Sequence, residues 1–131
     1  NLTKSPGLDD GPEFSPDGKY IYFNSVRSGS MQIWRMTADG REPVQITDDG
    51  FHNWFPNVSP DGKEIAMISF SKEIDANDHP YYKHVTLRLL RIEGGVPRVI
   101  AYVYGGQGTM NVPSWSPDGR MLSFVSNTAF E

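Results

Sequence analysis

Ser15-Pro16-Asp17-Gly18 is a tetrapeptide that occurs twice more in the chain, as Ser59-Pro60-Asp61-Gly62 and as Ser116-Pro117-Asp118-Gly119. Each copy is followed by Lys or Arg and then by an apolar segment. Proline presets φ at the second turn position, aspartate bonds to nearby backbone, and glycine adopts the left-handed conformation, so the tetrapeptide predicts a tight hairpin turn. The apolar segments carry few charges, which predicts strands covered on both faces.

The spacing of these turns indicates the size of one repeat. Ser15 and Ser59 lie 44 residues apart, within the roughly 40–45 residues of one four-stranded propeller blade. Ser59 and Ser116 lie 57 residues apart, so the second unit contains 13 extra residues. In each full unit two further strand-like segments flank a glycine turn, which predicts an antiparallel meander of strands A to D. We therefore predict an all-β chain of β-propeller blades, with two full blades and half of a third.

The predicted strands form a single propeller region, residues 1–131, divided into three units. These units cover approximately residues 12–54, 55–111 and 112–131, and the last is incomplete. No segment keeps an apolar period of 3.6 for the length of an ordinary helix, so we expect almost no helix. Propellers typically close with about four to eight blades. We expect the chain to be part of a longer propeller protein, or to associate with further blades or copies of itself.

Composition argues against several classes of function. The 131 residues include 12 basic and 16 acidic side chains, a formal net charge of −4, with no basic stripe, so we expect no nucleic-acid binding. Cysteine is absent, which excludes disulfides, thiolate metal sites and a cysteine nucleophile. No apolar run approaches the roughly 20 residues of a membrane-spanning helix, so we expect no membrane span.

Strand direction sorts the connections into two sets. The A–B and C–D turns lie on one face of a propeller, and the turns themselves explain their residues. The B–C and D–A connections lie on the other face, which we call the loop face. Its irregular segments are residues 27–29, 48–54, 71–83 and 104–111. Since binding usually resides in loops on a rigid scaffold, we expect a binding site on the loop face.

The D–A connections supply most candidate site residues, because they lead into the innermost strand at the channel mouth. Counting back from the turn serines makes Asp10, Trp54 and Asn111 equivalent, and their difference argues against a purely structural position. The alternative is that Phe51 and Trp54 fill gaps between blades while Asn53 and Asn111 cap loop backbone. We expect a protein or peptide partner, or a small ligand at the channel mouth, to contact Arg27, His52, Asn53, Trp54, Gln107, Thr109 and Asn111.

Catalytic and metal-binding patterns are weak. Residues 105–109 are rich in glycine but lack the lysine and following helix of a P-loop. His52, His79 and His84 could bind a metal with Gln107, but their spacing matches no metal signature. No Gly-x-Ser-x-Gly elbow is present. We therefore expect no catalytic residue, no metal site and no cofactor, and a chain that is not an enzyme.

Five segments follow one another in the same order as the repeat of a known family: Phe14-Ser15-Pro16-Asp17-Gly18-Lys19, Asn24-Ser25-Val26-Arg27-Ser28-Gly29, Ile33-Trp34-Arg35-Met36, Asp39-Gly40 and Gln45-Ile46-Thr47. With this order the repeat resembles the TolB-type propellers, whose repeat is called WD40-like or PD40. The insertion replaces the Ser-x-Arg-x-Gly element in the second unit. The resemblance implies a bacterial, non-enzymatic interaction propeller, and it points to the periplasm, although a chain without cysteine suits the cytosol equally.

Two other propeller classes stay open as alternatives. One is the propeller portion of a prolyl-oligopeptidase-like serine peptidase, in which a separate α/β-hydrolase domain cleaves the substrate. The other is a carbohydrate-active propeller resembling the oligogalacturonate lyases, which a metal at the histidine-bearing mouth would support. We rank the interaction propeller first because of the resemblance, since a fold alone does not fix a function.

Overall fold

The computed structural model of the protein describes residues 1–110 and 114–127, which contain eight β-strands and no helix, and so no helix that could cross a membrane. They form two four-stranded antiparallel sheets, in the orders β1-β2-β3-β4 and β5-β6-β7-β8. Each sheet is a meander, which confirms the predicted propeller blades; we call them blade 1 and blade 2. The strands are β1 Asp9–Phe14, β2 Tyr20–Ser25, β3 Gln32–Thr37, β4 Val44–Gln45, β5 Phe51–Val58, β6 Glu64–Ser71, β7 Lys83–Arg91 and β8 Arg98–Gly105.

The repeated turn closes with the same hydrogen bonds in every unit. In the first copy, the backbone N–H of Gly18 donates to the carbonyl of Ser15 over 2.8 Å, and Ser15 Oγ donates to Asp17 Oδ1 over 2.6 Å. The corresponding distances are 2.8 and 2.7 Å in the second copy, and 2.8 and 2.6 Å in the third. The turn glycine has φ near +70° in all three copies, a conformation that glycine adopts without steric cost. Local turn chemistry therefore fixes where strands A and B meet.

The B strands form the centre of each blade. Five of the six residues of β2 and six of the eight residues of β6 are buried, as their apolar sequences predicted. One face of β6 packs against blade 1, where its buried Ile65 and Met67 contact a cluster that includes Tyr22 and Ile33. Its other face joins a second cluster of buried side chains: Met31, Trp54, Ala66, Ile68, Phe70, Val85, Leu87, Val103 and Met110.

The third unit forms less sheet than its sequence predicted. Within the described residues of this unit, the strand pairing is a single bridge between Trp115 and Leu122. Phe124 and Val125, expected to be covered on both faces, are 43% and 57% exposed. A two-stranded hairpin is marginal without further strands or packing against another element.

The extra length of blade 2 is divided between a loop and two strands. The connection between β6 and β7, residues 72–82, is longer than residues 26–31, the equivalent connection of blade 1. We call residues 72–82 the strap. Strands β7 and β8 also have nine and eight residues, against six and two in β3 and β4. From the sequence we predicted that the whole insertion lies in the loop. Residues added to a strand simply continue its apolar pattern, so no turn residue marks where the strand has become longer.

Candidate functional site

The strap crosses the loop face and is held near its C-terminal end, at His79 and Pro80. His79 Nε2 lies 3.4 Å from Asp10 Oδ2 in blade 1, and the His79 ring packs edge-on against Trp54 with 5.1 Å between centroids. In the connection that follows β8, the backbone N–H of Gln107 donates to the carbonyl of Pro80 over 3.0 Å. The strap therefore joins the innermost strand of blade 1 to the last connection of blade 2.

Aromatic side chains extend from the strap to the ends of β7 and β8. Ring centroids are 6.5 Å apart for Tyr81 and Tyr82, 6.4 Å for Tyr82 and Tyr104, and 5.3 Å for His84 and Tyr104. Tyr81 and Tyr82 are 59% and 64% exposed. We call Tyr81, Tyr82, Tyr104 and His84 the tyrosine cluster. Contiguous exposed aromatic surface is a feature of interaction sites. In the sequence, the Tyr81-Tyr82 pair is the feature that could have indicated this cluster, and these two tyrosines were not among the predicted site residues.

A glycine allows the strap to approach the last connection closely. A Cβ at Gly106 would lie 2.7 Å from the Cα of Tyr81 and closer still to the carbonyl oxygen of Pro80. Thr109 is buried, and its Oγ1 accepts a hydrogen bond from the backbone N–H of Gly106 over 3.0 Å. Glycine at position 106 thus sets the distance between the strap and this connection.

Gln107 has a different environment from the other predicted site residues. Its side chain is 3% exposed, and neither of its amide atoms has a hydrogen-bond partner among the described residues. A buried amide without partners is costly, so such groups call for an explanation. Asn111, which the sequence placed in the same site, lies outside the described residues.

Three of the predicted site residues lie inside a strand rather than in a connection. His52, Asn53 and Trp54 belong to β5, which starts at Phe51 and pairs with β6 from that residue onward. The expected connection 48–54 is therefore shorter than predicted. His52 Nδ1 accepts a hydrogen bond from the backbone N–H of Met31 over 3.2 Å. Trp54 is 1% exposed and packs in the core.

Asn53 is a joint between the two blades. It is fully buried, and its Nδ2 donates to Gln32 Oε1 of blade 1 over 2.9 Å. Its Oδ1 accepts from Ser69 Oγ over 2.8 Å and from Arg88 Nη2 over 2.6 Å. Both ends of the amide are occupied by the protein, so Asn53 stabilises the arrangement of the blades beneath the loop face.

Arg88 completes this joint with an ion pair between blades. Its Nη2 lies 2.8 Å from Asp49 Oδ2, in the connection between the sheets, and its Nε donates to Ser69 Oγ over 2.7 Å. The guanidinium also lies 4.4 Å from the centroid of the Phe51 ring. Arg88 was not among the predicted site residues. A single arginine among apolar strand residues does not reveal which side chains it will contact, because those side chains lie far away in the sequence.

Arg27 forms a similar arrangement in blade 1. Its Nε donates to Ser25 Oγ over 2.8 Å, and its Nη2 donates to Asp9 Oδ1 over 3.1 Å. Burial would raise the pKa of Asp9, but hydrogen bonds from Ser25, Ser5 and Arg27 outweigh burial and lower it. The predicted site residue Arg27 is therefore engaged inside its own blade.

The histidines do not share a site. His52 bonds to the backbone of Met31, His79 meets Asp10, and His84 packs on Tyr104. Across residues 1–110 and 114–127, no group of three or more acidic, histidine or cysteine side chains could hold a metal ion. The lyase-like alternative thus lacks the ligand cluster that would support it in this part of the chain.

Comparison with known proteins decides the family. The profile described as the TolB beta propeller domain, PD40, matches residues 1–126. The chain belongs to the TolB propeller family. A solved TolB-like structure from Agrobacterium tumefaciens is 43% identical, with a TM-score of 0.92, over 98% of this chain and 46% of that one. TolB from Acinetobacter baumannii, at 24% identity and a TM-score of 0.69 over 91% of this chain and 27% of that one, shares the fold.

Relatives by sequence place this TolB-family chain among bacterial proteins. An uncharacterised protein of Agrobacterium fabrum is 45% identical over 124 residues, which are 95% of this chain and 42% of the relative. The Tol-Pal system protein TolB of Francisella tularensis is 32% identical over 80 residues, 61% of this chain and 18% of the relative. The chain thus spans less than half the length of these relatives. The resemblance seen in the sequence is confirmed.

Proposed function

We propose that this TolB-family chain is a non-enzymatic interaction module that binds a partner protein through its loop face. The tyrosine cluster carries the proposal. Tyrosine supplies a large contact area at a low cost in conformational entropy, and it is enriched at energetically important interface positions. Because contacts at His79 and Pro80 hold the strap immediately before Tyr81 and Tyr82, these two rings are presented on a prearranged surface, which lowers the cost of binding.

The residues predicted from the sequence take two roles in this proposal. Gln107 and Thr109, both buried next to the strap, belong to the contact region and support its surface from beneath. His52, Asn53, Trp54 and Arg27 support the surface by fixing strands and blades. Asn111, which follows Met110 in the same connection, is proposed as a further contact.

The first partner to test is Pal. Relatives of this chain are described as Tol-Pal system proteins, and this name connects that group of proteins with Pal. For this chain the assignment is a proposal, which the exposed aromatic surface supports by its chemistry.

Calorimetric titration with purified Pal tests the proposal with matched variants. Tyr82→Ala removes a 64% exposed ring of the cluster, and Phe14→Ala removes a 59% exposed ring beside the Ser15 turn, at the opposite end of the blades. We expect saturable binding by the wild type, about tenfold weaker binding by Tyr82→Ala, and unchanged binding by Phe14→Ala. Absence of binding by the wild type rejects Pal as the partner, and equal affinities of wild type and Tyr82→Ala reject the loop face.

A further inference from the structure

A cleft lies between the two blades at the end opposite the loop face. Its volume is about 350 Å³, near the lower limit of the roughly 300–1,000 Å³ that small-molecule sites occupy. We call it the inter-blade cleft. Its walls include Tyr20, Tyr22 and Arg35 of blade 1, and Pro60, Asp61 and Ile92 at the facing end of blade 2.

Arg35 is a half-buried cation in this cleft, and it has no carboxylate partner in the described part of the chain. Its guanidinium lies 4.3 Å from the centroid of the Tyr20 ring and interacts with the Tyr22 phenol. Among the described residues, no carboxylate oxygen lies within 4.0 Å of its nitrogen atoms. The other two arginines shielded from solvent, Arg27 and Arg88, both have such a partner. A shielded guanidinium favours a bidentate anion, so the missing partner points to a ligand.

The aspartates of the cleft are already engaged. Asp61 Oδ1 accepts from Ser59 Oγ over 2.7 Å, and its Oδ2 lies 3.8 Å from Lys63 Nζ. Asp17 makes the same contacts in its own turn, with Lys19 Nζ at 3.6 Å. Each carboxylate therefore has a lysine beside it, and the charge of Arg35 is left unbalanced.

The neighbouring blade shows that its fold does not require these side chains. Arg35 lies opposite Tyr22 on the neighbouring strand of blade 1, and at the equivalent place in blade 2 Leu89 lies opposite Ala66. Tyr20 likewise corresponds to Glu64, 44 residues further along the chain. Blade 1 departs from the repeat at the positions that give the cleft its aromatic and cationic wall.

We propose that the inter-blade cleft binds a small carboxylic acid with an aromatic or apolar body. The carboxylate pairs with the guanidinium of Arg35, and the body lies against Tyr20 and the Pro60 ring. The same chemistry is offered by a free small acid and by the carboxyl terminus of a peptide. This site lies away from the loop face and does not depend on the function proposed for that face.

The test uses two carboxylate probes and one neutral analogue in NMR titrations of the protein. The probes are 3-phenylpropionate for a free acid and N-acetylphenylalanine for a peptide terminus, and 3-phenylpropanamide is the analogue without charge. We expect saturable shifts at Tyr20 and Arg35 with at least one carboxylate, and about tenfold or weaker affinity for the amide. Saturation by one probe alone identifies the source of the carboxylate.

Variants at Arg35 separate the charge from the fold. Arg35→Leu reproduces the residue of blade 2 and should weaken carboxylate binding about tenfold or more, whereas Arg35→Lys keeps part of the affinity. Arg120→Leu, in the exposed third turn, is the matched control and should bind like the wild type. Absence of saturable shifts, equal affinity for acid and amide, or an unchanged affinity in a folded Arg35→Leu variant would overturn the proposal. The comparison of acid with amide decides the question even where Arg35→Leu does not fold.

Discussion

The guanidinium groups of Arg27 and Arg88 occupy equivalent places in consecutive blades, although the two residues come from different parts of the repeat. Arg27 donates from Nε to Ser25 Oγ and from Nη2 to Asp9, the residue opposite Ser25 on the neighbouring strand. Arg88 likewise donates from Nε to Ser69 Oγ and from Nη2 to Asn53, the residue opposite Ser69. The serines, Ser25 and Ser69, are 44 residues apart, the distance between successive turns. Arg27 comes from the connection after strand B, whereas Arg88 lies in strand C. The Ser-x-Arg-x-Gly element is thus absent from blade 2 while its guanidinium position is kept.

Removing Arg88 should destabilise the protein strongly. Arg88→Ala leaves the buried Asn53 and the Asp49 carboxylate without their cation, and breaking a buried pair in this way costs about 3–5 kcal/mol. Arg91→Ala, an exposed arginine on the same strand, should change stability by no more than about 0.5 kcal/mol. Urea denaturation followed by tryptophan fluorescence measures both variants. A loss below about 1 kcal/mol in Arg88→Ala would show that this joint does not hold the blades together.

Glu13 should make stability depend on pH. Burial raises the pKa of Glu13 to about 7, although a hydrogen bond from the Val58 backbone N–H lowers it in part. Because the unfolded chain releases this proton near pH 4.5, the folded state binds it more tightly. The free energy of unfolding should therefore fall between about pH 4.5 and pH 7 by roughly 2 kcal/mol, less than the full pKa difference would give because solvent partly screens this half-buried carboxyl, and the loss persists above that range.

Glu13→Gln removes the titrating proton and should flatten this dependence. Denaturation in urea at pH 5 and at pH 8 should give a smaller difference for Glu13→Gln than for the wild type, with the gain at pH 8. Glu93→Gln, at an exposed turn, is the control and should follow the wild type. If the free energy of unfolding changed with pH in the same way for the wild type and Glu13→Gln, Glu13 would not be the group responsible for the pH dependence.

The close approach of the strap should depend on Gly106. Gly106→Ala drives a Cβ into the backbone of Pro80 and Tyr81, which should lower stability by about 2 kcal/mol or more and weaken binding at the loop face. Gly94→Ala is the matched control, because Gly94 also has positive φ but has no atom within 4 Å of its Cβ position. The difference between the stability losses of the two variants measures the steric clash separately from the strain of placing alanine at positive φ. Equal stability losses would mean that the strap does not rest on Gly106.

The sequence predicted the features that depend on nearby residues. The three Ser-Pro-Asp-Gly turns and the apolar B strands follow from local chemistry, and their order was enough for the blades and the family. The start of β5 was missed because Phe51 to Trp54 alternate too irregularly to indicate a strand until β6 is known as their partner. The roles of Asn53 and Arg88 were missed for the same reason, since all but one of their side-chain partners lie between 16 and 39 positions away.

The tyrosine cluster shows what the sequence could indicate only in part. Tyr81-Tyr82 stands out in a polar segment, but its proximity to Tyr104 depends on how the strap folds back over the last connection. The φ values of His79 and Tyr82 are positive, +42° and +55°, which is rare for such side chains. Residue spacing alone contains no sign of that path.

Chemical-shift mapping of the protein with Pal tests the loop-face proposal most directly. We expect the largest changes at Tyr81, Tyr82, Tyr104 and Gln107, and none at the Ser15 and Ser59 turns. Changes confined to the turn end of the blades, or none at saturating Pal, would contradict the central claim that partners bind where the strap crosses the loop face.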